Sequence, residues 1–155
     1  MAEGPDQLYS DEPMPVVPAF AVASSEMFRT LKDLRSAWPT RGWSWDGRLS
    51  CVTSSFNVDV EVKARSAASI ALVNEWTPST IRNAAPALRE IVERAGGIRS
   101  GQLVLAGSTT AGPFAYGLWW PWGDGMTTSL RIGLGGPGAT QDTLQRLRDA
   151  FGVEA

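Results

Sequence analysis

The chain has 155 residues, 43% hydrophobic and 19% charged, with a formal net charge of −2. That length supports one domain with a real core, and the balance excludes both wholesale disorder and a membrane-embedded chain. Glu3, Asp6, Asp11 and Glu12 leave the first 20 residues at −4 without a Lys or Arg, so the rest stands at +2, too weak and scattered a positive field for nucleic acid.

Residues 1–22 hold four prolines, Pro5, Pro13, Pro15 and Pro18, among those acids. They read as a flexible acidic, Pro-rich segment ahead of a single α+β domain over 23–155. Acids and prolines stand where a secretory signal would carry basic residues and then a continuous apolar stretch, and no apolar run approaches the roughly 20 residues that span a bilayer. A cytoplasmic protein is expected. Twelve Arg against two Lys, with abundant Ala and Gly, is the bias of a GC-rich bacterial genome.

Met27, Leu31, Leu34 and Trp38 recur at helical spacing, with Ser24 or Ser25 as N-cap and Pro39 as stop, which predicts a first helix. Next, "WSWDGR" offers an Asp46-Gly47 turn of the tight-hairpin kind, and "RLSCVTS" reads as a strand. Cys51, within its apolar run, is expected as a buried, inert thiol. In "FNVDVEVK", Phe56, Val58, Val60 and Val62 alternate with polar residues, the pattern of a half-buried strand. "SIALVNEW" predicts another strand.

A second helix follows from the stripe Ile81, Ala84, Ala85, Leu88, Ile91, Val92 and Ala95, with Asn83 as cap, Pro86 in the first turn and Gly96-Gly97 as stop. "GQLVLAG" predicts a strand leading to a tryptophan-rich hairpin, "GLGGPG" a flexible connector, and "TQDTLQRLRDAFG" a last helix ended by Gly152. The expected class is α+β, a mainly antiparallel sheet with about three helices packed on it, in the order α-βββ-α-βββ-α.

A loop of Gly123, Asp124 and Gly125, with Gly125 at positive φ, pairs Trp122 with Met126. Trp120, Leu118, Tyr116 and Phe114 then face Thr128, Leu130, Ile132 and Leu134 on a core side. The other side carries Trp119 with Ser129, Thr127 and Arg131, beside accessible backbone at Ala115, Gly117 and Gly133. Those four residues form the candidate partner-binding patch. Trp45, Asp46, Trp122 and Asp124, at or beside the two Asp-Gly turns, form an alternative platform for a small ligand or carbohydrate if the turns meet.

The chain contains no histidine and one cysteine, which removes the commonest general base and metal ligand, so neither a metal site nor a cofactor is expected. "GLGGPG" matches a glycine-rich dinucleotide pattern in letters only, since too little chain follows it for a second parallel strand. A carboxylate-dependent enzyme using Asp59, Glu61, Asp46, Glu75 or Asp124 is the third reading, and the hydroxyls of Ser108, Thr109 and Thr110 have no recognisable base. The leading expectation is a non-catalytic module that binds another protein through a sheet face or edge, as immunity proteins and chaperone-like adaptors do, with homodimerisation through an edge strand as a variant.

Overall fold

The computed structural model describes residues 19–108 and 112–154. The expected flexibility of the acidic segment falls mostly outside them, as do Thr109 and Thr110. A six-stranded, wholly antiparallel sheet is packed with helices on both faces. In chain order the elements are α1 (Ala19–Ala37), β1 (Ser44–Asp46), β2 (Cys51–Asn57), α2 (Glu61–Ala68), β3 (Asn74–Trp76), α3 (Pro86–Arg94), β4 (Leu103–Ala106), β5 (Phe114–Pro121), β6 (Thr127–Gly135) and α4 (Gln141–Phe151). The sheet order is β1-β2-β6-β5-β4-β3. The protein is of the α+β class, with four α-helices where about three were expected.

The first face of the sheet is covered by α1, α2 and α4. Phe28, Leu31 and Leu34 of α1, Ala64, Ala67 and Ala68 of α2, and Leu147, Ala150 and Phe151 of α4 are buried there against Val52, Phe56, Trp119, Leu130 and Ile132. Each large side chain so buried contributes about 1.5–3 kcal/mol. Trp38, just past α1, donates its indole N–H to Ser54 Oγ at 2.9 Å and so ties the helix end to β2. Among the described helices only α3 covers the second face, where Leu88, Ile91 and Val92 pack on Val104, Phe114, Tyr116 and Leu118.

Several expectations give way. Helix α1 starts at Ala19 rather than at a Ser24 or Ser25 cap. The alternating stretch from Phe56 to Lys63 is not a strand, because β2 ends at Asn57, whose side chain accepts the Asp59 N–H at 2.9 Å and opens a 3-10 turn. Helix α2 follows, and its core face is made by alanines at helical spacing, while Val58 and Val62 are 43% and 81% exposed. Asp59 and Glu61 therefore share no strand face. Of "SIALVNEW" only Asn74–Trp76 is a strand. Residues Ile81–Asn83 form a separate 3-10 turn, so Ala85, not Asn83, is the N-cap residue of α3, with Pro86 at its first position as expected.

The hairpin register moves by one residue. Asp124 Oδ1 accepts the N–H groups of Met126 and Thr127, both at 2.9 Å, and Oδ2 accepts Thr127 Oγ1 at 2.8 Å. This closes a four-residue loop over 123–126, with Gly125 at φ 71 and the Trp122 N–H donating to the Thr127 carbonyl at 2.7 Å. Trp119 thus pairs with Leu130 and Trp120 with Ser129. A single-residue shift exchanges the two faces of one strand relative to the other. Gly133 and Gly135 are not accessible backbone or part of a flexible connector: they lie in β6, opposite Tyr116 and Phe114, whose rings fill the space a Cβ would need. Gly117 likewise makes room for Leu72 and Leu130.

Candidate functional site

Register rows run across the second face from an apolar to a polar end. One row is Trp76, Val104, Leu118, Arg131, Thr53 and Ser44, taken from β3 to β1. The next rows toward the hairpin tip set Trp120 beside Ser129 and Ser55, and Trp122 beside Thr127 and Asn57. Helix α3 covers the apolar half. The remaining quadrant, on β2, β6 and the end of β5, is polar: Ser44, Ser55, Asn57 and Trp122 are exposed, and Thr53, Trp120, Thr127 and Arg131 half-buried.

The centre of this quadrant is Arg131. Its Nε donates to Asp46 Oδ2 at 3.2 Å, its Nη1 donates to Ser129 Oγ at 2.9 Å, and its guanidinium lies 4.9 Å from the Trp120 ring centroid. Ser129 is buried beneath it. The other oxygen of Asp46 accepts the N–H groups of Arg48 and Leu49 at 3.0 and 3.3 Å. Burial alone would raise the Asp46 carboxyl, but these hydrogen bonds, that from Arg131 first, outweigh it and hold the group below the usual range. Asp46 is thus an anion with both oxygens engaged.

Of the expected patch, the structure brings together Arg131, Ser129 and Thr127 and removes Trp119. That indole is 3% exposed on the opposite face, 5.1 Å from Phe56 and under the Arg65 guanidinium at 5.3 Å. The loop at Asp124 puts it there, and Trp120 takes the place assigned to it. The alternative platform does not assemble. The two Asp-Gly turns adjoin opposite ends of β2, roughly 20 Å apart along a seven-residue strand. Trp45 packs on the first-face core with Arg148 4.6 Å over its ring, while Trp122 and Asp124 are exposed at the far tip. The Asp46-Gly47 turn is also longer than expected: Asp46 pairs with Cys51 across residues 47–50, and the left-handed residue is Ser50, φ 54.

Sequence reasoning missed Trp120, Thr53, Ser55, Asn57 and Ser44. The signal for the β2 members is present in "CVTSSFN", where Val52, Ser54 and Phe56 turn inward and Thr53, Ser55 and Asn57 outward. Cys51 is fully buried as expected, its thiol pushed up to about 11 by desolvation, with Tyr116 Oη 3.4 Å away. The Asp124 carboxyl is held low by the N–H of Met126 and by Thr127. Among the described residues no group of three or more His, Cys, Asp and Glu side chains is placed to hold a metal ion. Nor is any described helix long and apolar enough to cross a membrane. Comparisons with protein-family models, curated proteins and solved structures found no match.

Proposed function

We propose that this protein is a non-catalytic, cytoplasmic protein-binding module whose partner docks on the polar quadrant of the sheet. The observation that carries this reading is the half-covered second face: α3 protects its apolar half and no described helix protects the other. An antiparallel sheet with a wet face is common. Here that face is bounded by two tryptophans on successive outward positions, with Trp122 51% and Met126 56% exposed at its rim. Aromatic, Met and Arg side chains are the types enriched where proteins meet.

The edge adds to the face. Strand β1 pairs with Cys51–Thr53, so among the described strands Ser54–Asn57 of β2 have a neighbour on the β6 side alone. An extended segment of a partner can continue the sheet there by main-chain hydrogen bonds, with an apolar side chain set against Trp122 and Met126. Arg131 is already fixed by Asp46, Ser129 and Trp120. Ordering it on association therefore costs little. Immunity proteins and secretion chaperones likewise work by binding another protein, and that analogy is one of role rather than of fold.

The test is site-specific photo-crosslinking from Ser55, from Trp122 and, as control, from Arg89 on the exposed side of α3, in the native host. One protein crosslinked from the first two positions and not from the third supports the reading. An adduct of twice the chain mass makes that partner a second copy. No adduct, or the same adducts from all three positions, defeats it.

A further inference from the structure

At the other end of the sheet, away from the hairpin tip, the β1–β2 loop, the last turn of α3 and the start of α4 do not close on one another. They leave a cavity of about 420 Å³ whose walls include Arg48 and Ser50 from the loop, Arg94 from α3, and Leu144 from α4. Tyr116 and Leu134 of the sheet also line it. The volume falls within the range of roughly 300–1,000 Å³ typical of small-molecule sites. Beside it α3 is followed by Gly96 and Gly97, with φ of 103 and 87, and Ser50 in its lining is the one non-glycine with positive φ among the described residues.

The electrostatics are one-sided. Among the described residues no carboxylate lines the cavity. Among the described residues neither Arg48 nor Arg94 is paired with an acid. Asp46, at the start of the loop, has both oxygens committed to Arg131 and to the loop N–H groups. The Tyr116 hydroxyl faces Cys51, so the tyrosine supplies an aromatic surface rather than a competing charge. Two exposed guanidinium groups above leucine side chains match one ligand chemistry, an anionic head on a short apolar body.

We infer that the cavity formed by Arg48, Ser50, Arg94, Tyr116, Leu134 and Leu144 binds a small organic carboxylate with an alkyl or aryl body. The carboxylate meets the arginines, whose planar donors suit it bidentately, and the body displaces water from the leucines and the tyrosine ring. This site is separate from the polar quadrant and does not depend on it.

The test uses the full chain and titration calorimetry with octanoate, octan-1-ol and inorganic phosphate as probes. Octanoate is expected to bind with one-to-one stoichiometry, and more tightly than either of the others. The double substitution Arg48→Gln, Arg94→Gln should weaken octanoate at least about tenfold, the scale of one lost charge-assisted hydrogen bond. Ala139→Trp, at the cavity wall, should abolish it while keeping both arginines. Circular dichroism checks that each variant folds. Failure of octanoate to bind overturns the inference, as does octanol binding as tightly. Phosphate binding equally well removes the apolar half of the argument, and unchanged affinity in either variant moves the site elsewhere.

Discussion

Trp119 and Trp120 are neighbours with opposite fates, and their own chemistry does not distinguish them. Asp124 does: by accepting three hydrogen bonds it selects a four-residue loop over a three-residue one, and the choice sends one indole to the core and the next to the polar face. The glycines opposite are equally specific. A Cβ on Gly133 would lie 2.5 Å from Tyr116 Oη, and that tyrosine is buried. Gly133→Ala should cost about 1–3 kcal/mol by overpacking, read from urea unfolding, whereas Gly123→Ala, with open space around it, should change stability by less than about 0.5 kcal/mol. Equal effects would refute the cross-strand account.

The Asp46–Arg131 pair has a pH signature. The Asp46 carboxyl is depressed in the folded state. Its contribution is therefore fully present above the unfolded value of about 3.9 and is lost as pH falls through the lower folded value. Asp46→Asn should cost about 1–2 kcal/mol at pH 7 and less at a pH well below the unfolded value of about 3.9. An equal loss at both pH values would show that loop geometry, not charge, is what the side chain supplies.

Among the elements, α2 shows how a period can mislead. Val58, Val60 and Val62, in the turn before it and its first residues, alternate as in a strand, yet the helix residues that meet the core are Ala64, Ala67 and Ala68, which no hydrophobicity scale would have favoured over valine. Their smallness admits the helix close to the sheet and α1. Val62→Ser should leave stability within about 0.5 kcal/mol of the parent, and Ala68→Leu should cost about 1–3 kcal/mol. Thermal or urea unfolding of the two variants separates a helix from a half-buried strand, for which the order would be reversed. Helix α4 was legible because its signals are local: Thr140 forms a capping box with Thr143, and Gly152 ends the helix at φ 67.

For the whole molecule, stability should be graded across the sheet. Strands β5 and β6 are central, eight and nine residues long, with strand neighbours on both sides and helices packed on their first face, whereas β1 and β3 are three-residue edges. Native-state hydrogen exchange should therefore be slowest in the middle of β5 and β6 and fastest at β1 and β3. Uniform protection would contradict the layering. On the same gradient the cavity lies at the sheet's end, while the polar quadrant runs from Arg131 on central β6 out to edge strand β1.

The class of fold, helices α1, α3 and α4, strands β2, β4, β5 and β6, and the buried thiol could be read from the chain alone, because caps, stops and periodic stripes act within a few residues. So could the membership of Arg131, Ser129 and Thr127 on one strand face. Which tryptophan joined them could not, because it depends on a register set by three hydrogen bonds at a loop. The separation of the two Asp-Gly turns, the company kept by Arg48 and Arg94, and the half of the second face that no described helix covers were decided only by tertiary structure. Each depends on how distant elements pack, and a small local difference in register or loop length reverses what a side chain faces.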